Sequence, residues 1–157
     1  MNKYKLTADE KVFIHSRIKH AHSELQKIVA MVTAAKAEGD LSENAAYYEG
    51  LKRQQQLERQ IKELEDVVTF SQVIPLPPKE KRDRILFGAR VKMKIGNTIK
   101  MYRIVSTIGY ASGYREKDTE MIDIHGILGK VMLQKKVGEN ITRPDGTTME
   151  VLAIEYR

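Results

Sequence analysis

Residues Lys36 to Gly50 read KAEGDLSENAAYYEG, and what flanks this stretch decides the fold. On its N-terminal side Ile14, Ile18, Ala21, Leu25, Ile28, Val32 and Ala35 recur at alternating spacings of four and three, the a/d seam of a coiled coil. On its C-terminal side Tyr47, Gly50, Gln54, Leu57, Ile61, Leu64 and Val68 make a second seam. Thr7-Ala-Asp-Glu10 is a capping box for the first helix, and Gly39 stands where a C-cap glycine would close it. So short a connection forces antiparallel neighbours, hence a helical hairpin whose arms of about 30 residues each reach about 45 Å at 1.5 Å per residue. Gly50 and Gln54 weaken the second seam near the turn, as expected of an end tuned for contact or mobility, or simply of a fraying helix.

The turn places Asp40 and Glu43 three residues apart. One reading is a second capping box: Asp40 caps the second helix and Glu43 reaches back to the Asp40 N–H, an arrangement worth about 1 kcal/mol. The other is that a rigid rod carries two carboxylates into a deep channel, where they complete the oxygen shell of a Mg2+ ion that keeps most of its waters. Both can hold at once.

Past the hairpin, IPLPPKEKRDR (Ile74–Arg84) contains three prolines, which end the helix and mark a linker. The pattern then changes period. ARVKMKI and KMYRIVS alternate apolar and polar residues around a Gly-Asn-Thr turn, GTTMEVLAIEY is a further strand, and HGILGKVMLQKKVGEN reads as one short helix bounded by glycines. The expected fold class is α+β. A coiled-coil hairpin occupies residues 1–74 with an acidic tip at 39–45, a proline-rich linker 75–84, and a small α+β domain 85–157. Phe87, Val91, Ile95, Tyr102, Ile104, Leu128, Met132, Leu152 and Ile154 are its expected core.

Charge divides the same way. Residues 1–74 hold 11 basic and 11 acidic side chains, whereas residues 75–157 hold 16 and 10, so the second part carries the whole net charge of +6. Such asymmetry suits docking onto an acidic surface or nucleic acid. The absence of cysteine removes disulfides, thiol nucleophiles and thiolate metal sites, and His15, His20, His22 and His125 have no zinc-like spacing. Any metal would be held by oxygens. No run of about 18 apolar residues and no signal-peptide core is present, so a cytoplasmic protein without a membrane partner is expected. Nor is there a P-loop, a dinucleotide fingerprint or a Ser/His/Asp set, which points to a docking surface rather than an enzyme.

GDLSENA followed by Tyr47 resembles the hairpin tip of the bacterial transcript cleavage factors of the GreA/GreB family. FGARVKM (87–93), YRIV (102–105), LGKVMLQKKVGE (128–139) and AIEY (153–156) resemble that family's later segments in the right order, so the likeness covers nearly the whole chain. It implies a monomeric accessory factor whose FKBP-like second domain docks on bacterial RNA polymerase and whose coiled coil enters the secondary channel. The backtracked 3′ end of the nascent RNA would then be cleaved by the polymerase's own active site. By the same resemblance Asp40 and Glu43 match the pair credited with holding a Mg2+ shared with the polymerase, and Ser42 and Asn44 match polar tip residues that contact polymerase. Docking is assigned to Leu128, Lys130, Lys135 and Lys136.

The chain departs from the family pattern at several points. Ala46 stands where many relatives carry a further acid, Gly126-Ile127 where Ser-Pro is usual, and Gln134 where glycine is common; the ENITRPDG stretch is about two residues short. The A-like or B-like subtype stays undecided. Two rival readings are a non-catalytic secondary-channel regulator or inhibitor of the polymerase, and a peptidyl-prolyl isomerase. The latter is disfavoured because the aromatic residues from Ile85 onward are only one Phe and four Tyr.

Overall fold

The computed structural model describes residues 2–39 and 44–157. The chain divides into two compact units. Val12–Ser71, with the first residues up to Lys3, form one; Tyr4–Lys11 and Gln72–Arg157 form the other.

The first unit is the antiparallel hairpin. Helix α1 (Ala8–Ala37) and helix α2 (Ala45–Thr69) are the longest elements of the chain. Ala21, Leu57 and Ile61 are buried between them with Leu25 and Ile28 packed alongside, as the two seams require. Side-chain pairs across the hairpin, Arg53 to Glu24 (Nε to Oε1, 3.1 Å) and His22 to Glu65 (3.4 Å), join the middle of α1 to the early and late parts of α2. Being largely exposed, they add little stability. The end of the second seam differs from expectation: Val67 is buried and Val68 only half-buried, because a helix of 3.6 residues per turn drifts from a strict 3.5 repeat.

Gly50 also takes on a different meaning. It is buried, and a Cβ built on it would lie 2.8 Å from Cγ2 of Val32. A β-branched side chain cannot easily swing away. The glycine therefore allows close approach of the two helices rather than loosening the seam.

The second unit is built on a five-stranded sheet in the spatial order Thr119–Asp123, Thr98–Val105, Arg90–Ile95, Thr148–Glu155, Asn140–Thr142. Strands β3 (Arg90–Ile95) and β4 (Thr98–Val105) form the expected hairpin, paired from Arg90–Arg103 to Ile95–Thr98 and turning through Gly96 at φ +59°. β5 (Thr119–Asp123) runs parallel to β4, while β6 (Asn140–Thr142) and β7 (Thr148–Glu155) complete the other side. The core contains Ile85, Val91, Met93, Tyr102, Ile104, Met132, Ile141, Met149 and Val151, with Ile95, Leu128 and Ile154 packed against it.

Strict alternation along β7 would have turned Leu152 and Ile154 to the same face. A bulge intervenes: Lys92 pairs with Ala153 but the next residue, Met93, pairs with Val151. The extra residue reverses the phase, so Val151 and Met149 fill the core and Leu152 is only half-buried. Phe87 is likewise half-buried and outside the core cluster.

Three further differences have local causes. The helix expected over His125–Asn140 is only α4, Ile127–Met132, because Leu133 turns extended and Gln134 takes φ +70°. Helix α3 (Thr107–Ala111) and β5 were not foreseen; each is only five residues long. The prolines of the linker have no regular structure, and a single 3₁₀ turn follows at Lys79–Lys81.

The largest difference is that Tyr4–Lys11 belongs to the second unit, although 1–74 was expected to form the hairpin alone. Strand β1 (Tyr4–Leu6) pairs with β2 (Ser71–Val73), and Ile74 N–H donates to Leu6 C=O at 2.9 Å. The capping box forms as expected: Thr7 N–H donates to Glu10 Oε2 at 2.7 Å and Glu10 N–H to Thr7 Oγ1 at 3.1 Å. Its remaining oxygen is engaged as well, since Glu10 Oε1 accepts from the Ser106 N–H (2.8 Å) and hydroxyl (2.7 Å). Asp9 and Glu116 both pair with the buried Arg103, at 3.2 and 2.6 Å. A first turn that provides the counter-charges of a buried guanidinium folds with the unit that owns it.

Candidate functional site at the hairpin tip and its second unit

α2 begins at Ala45, and its N-cap is Asn44, whose side-chain Oδ1 accepts the Tyr47 N–H at 3.1 Å. The other half of the amide, Nδ2, donates to the Ala35 C=O in the last turns of α1, at 3.5 Å. One side chain thus satisfies an orphan donor of α2 and reaches the Ala35 carbonyl of α1, which also accepts the Glu38 N–H at 3.3 Å, linking the two ends. Gly39 takes φ +103°, as a residue just past a helix C-terminus does. Asn44 is therefore engaged within the hairpin. Asp40, Ser42 and Glu43 lie outside the described residues.

The expectation that Asp40 caps α2 is corrected by the position of the cap. Asp40 precedes Ala45 by five positions, and the first turn of α2 contains no acid of its own. Both Asp40-x-x-Glu43 and Asn44-x-x-Tyr47 start with good capping residues, and the backbone uses the second. Next to this cap, Tyr47 is half-buried and meets the exposed Tyr48 edge-on, with ring centroids 5.4 Å apart and planes at 70°. Among the described residues no group of three or more His, Cys, Asp or Glu could hold a metal ion.

In the second unit the four expected docking residues divide. Leu128 is half-buried against the core, and Lys135 is half-buried with its main-chain carbonyl accepting the Ile85 N–H at 2.8 Å. Lys130 is exposed on α4. Lys136 is exposed but pairs with Asp83 at 3.2 Å. Hydrogen bonds from Arg84 and then Lys136 hold the Asp83 carboxyl below the usual range. Sequence reasoning missed the exposed apolar side chains around them, Ile127 (71% exposed), Val131 and Val137, because a six-residue helix has too few turns to show a periodic stripe. It also missed a cleft bordered by β4, α3 and β5, whose residues come from three separate elements.

A helical hairpin closed at its tip by an amide clasp, followed by a small bent sheet, defines a class of two-unit factors. Comparison with known proteins names it. The family described as "Transcription elongation factor, N-terminal" (GreA_GreB_N) matches residues 4–73. Transcription elongation factor GreA of Rickettsia conorii is 31% identical, the alignment covering 99% of this chain and 96% of the relative. The GreA proteins of Sinorhizobium medicae and Novosphingobium aromaticivorans are 35% and 37% identical, over 85% and 83% of this chain and 84% and 81% of theirs. Among solved structures, GreA factor homolog 1 of Thermus thermophilus aligns over 97% of this chain and 98% of that one, with 17% identity and a TM-score of 0.45. The chain belongs to the GreA/GreB family of transcription elongation factors. No helix among the described residues is long and apolar enough to cross a membrane.

Proposed function

We propose that the protein binds bacterial RNA polymerase and stimulates the polymerase's own endonucleolytic cleavage of backtracked RNA. The hairpin would act as the delivery arm and the second unit as the dock. The observation that carries this reading is the Asn44 cap. The N-cap position of α2 is held by Asn44, so helix capping at that position does not call for the acidic pair that precedes it in the sequence.

A helix as long as α1, about 45 Å at 1.5 Å per residue, has the reach to carry a tip deep into a channel. Two carboxylates fit the donor set of Mg2+, which takes one or two such ligands and keeps its waters. When bound, that ion would polarise and orient the water attacking the phosphodiester. The role of Asp40 and Glu43 is then to supply fixed negative charge, and the role of Asn44 is to hold the backbone that presents them. Relief of arrest would follow, since cleavage leaves a new RNA 3′ end. The test is transcript cleavage by stalled polymerase: wild-type protein should accelerate it, and Asp40→Asn should bind polymerase equally well but fail to accelerate it.

A further inference from the structure

A cleft of about 760 Å3 opens in the second unit, lined by Ile99, Lys100 and Met101 of β4, by Tyr110 of α3, and by Arg115 and the stretch Asp118–Met121. We infer that it is a binding site for a purine nucleotide, with guanine the preferred base. Its volume falls in the range of small-molecule sites.

The lining has the parts such a ligand needs. Ile99 and the half-buried Met101 provide apolar surface, and the Met101 thioether is a soft, polarizable partner for a ring. Tyr110 is 44% exposed, and the Arg115 guanidinium lies 5.3 Å from its ring centroid. Tyrosine rings and guanidinium planes are the surfaces on which unpaired bases stack. A stack left half open to water in the wall of a cleft is a platform without its third layer.

The polar groups select the base. Asp118 takes φ +52°, a left-handed conformation that aspartate tolerates, at the turn into β5. Glu120 follows two residues on, and both line the cleft. Carboxylates only accept hydrogen bonds. Guanine presents adjacent N1–H and N2–H donors on one edge, which one carboxylate can take as a pair; adenine places an acceptor beside its single amino group and meets the same carboxylate with a repulsive contact. Lys100 and Arg115 supply cations for the phosphate. The same cations disfavour a basic peptide, the other ligand that carboxylates would attract.

The base could arrive as a free mononucleotide or within an RNA strand, and the test separates these sources. Full-length protein is titrated with GMP, AMP and short single-stranded oligonucleotides of G or A, followed by calorimetry or chemical-shift change. Saturable binding is expected, with GMP about tenfold or more tighter than AMP, the discrimination typical of a paired hydrogen-bond contact. Tyr110→Ala should weaken all guanine ligands about tenfold with no change in thermal melting, as loss of a base stack does. Asp118→Asn and Glu120→Gln should erase the preference for guanine. Tighter binding of GMP than of the G oligonucleotide supports the free nucleotide, and the reverse supports an RNA strand. Absence of saturable GMP binding at millimolar concentration, equal affinity for GMP and AMP, or indifference to Tyr110→Ala would each overturn the assignment.

Discussion

The carboxylate of Glu10 and both donors of Ser106 form a buried clasp: Oε1 accepts the Ser106 N–H at 2.8 Å and its hydroxyl at 2.7 Å, and Glu10 is fully shielded from solvent. Gly109 lies beneath it, where an added Cβ would sit 1.9 Å from the same oxygen. Glu10→Ala leaves the buried donors of Thr7 and Ser106 unpaired and should cost about 2–3 kcal/mol in denaturant unfolding. Gly109→Ala should also destabilise, by driving Glu10 out of the clasp. With Glu10 already truncated the glycine substitution has little left to displace, so the double variant should lose less than the sum of the two. Additive losses would show that the clash is with something other than Glu10.

Alkaline pH should act on the second unit through three tyrosines. Burial is the leading cause that raises Tyr102, Tyr114 and Tyr156 above the ordinary value of 10.0; at Tyr114 the hydrogen bond to Glu116 adds to it. In each case the folded state holds its proton more tightly than the unfolded chain. Stability from this source is complete below the unfolded pKa and falls as pH rises above about 10, because the unfolded state then binds fewer protons. Denaturant midpoints should be level from neutral pH to about 9 and decline beyond it, and Tyr114→Phe should flatten the decline. Tyr156→Phe should additionally lower stability at neutral pH, since its hydroxyl donates to Arg84 C=O at 2.6 Å and accepts the Leu86 N–H at 2.8 Å. An unchanged midpoint at about pH 11 would contradict the burial of these hydroxyls.

Gln134 occupies the left-handed region at φ +70° where the chain leaves α4. Its N–H still donates to Ile85 C=O at 2.8 Å, so the backbone bond does not depend on the side chain. Gln134→Gly removes the Cβ strain but adds freedom to the unfolded chain, leaving a net gain of about 0.5–1 kcal/mol. A rise in melting temperature would confirm it, whereas a fall would mean that the glutamine side chain makes a stabilising contact.

These cases mark where the sequence was legible. The first seam and most of the second, the Thr7/Glu10 box, the Gly39 stop and the β3/β4 hairpin are local patterns and appear in place, the second seam departing only at its end, where Val67 rather than Val68 is buried. Long-range register was not legible: the β7 bulge that puts Val151 rather than Leu152 in the core depends on pairing with Lys92 and Met93, about 60 residues earlier. The assignment of Tyr4–Lys11 to the second unit depended on Ser106 and Arg103, and no pattern within the first helix could announce such partners. At the tip, two capping signals stood side by side, and only the backbone geometry shows which one the helix uses.

That choice predicts where hairpin stability resides. Asn44→Ala removes both the cap to Tyr47 and the bond to Ala35, and should cost about 1 kcal/mol of hairpin stability in a thermal melt followed by far-UV circular dichroism. Asn44→Asp keeps an acceptor for the cap but cannot donate to the Ala35 carbonyl, so it should fall between wild type and alanine. Asp40→Ala should leave the melt unchanged. If instead Asp40→Ala were the destabilising substitution, the cap would belong to Asp40 after all.

The same comparison isolates the chemistry of the acidic pair. Asparagine caps helices about as well as aspartate, so Asp40→Asn cannot act through helix stability under either reading. A neutral amide is, however, a poorer ligand for a hard cation. If Asp40 and Glu43 supply oxygens to a Mg2+ shared with the polymerase, Asp40→Asn should lower the rate of transcript cleavage at limiting Mg2+ by at least about tenfold, a loss typical of a disturbed metal site. Polymerase binding and the melting curve should stay as they are. Raising Mg2+ should restore part of the rate, because the defect lies in ion occupancy. Glu43→Gln should behave alike, and the double variant should lose less than the product of the two effects, since one ion can be lost only once. Ala46 gives a test in the opposite direction: Ala46→Glu adds a charge in the first turn of α2, which favours the helix N-terminus and should lower the Mg2+ concentration needed for half-maximal cleavage. Full cleavage by Asp40→Asn at limiting Mg2+ would end the metal reading and leave the two carboxylates without an assigned role, because Asn44 already holds the cap.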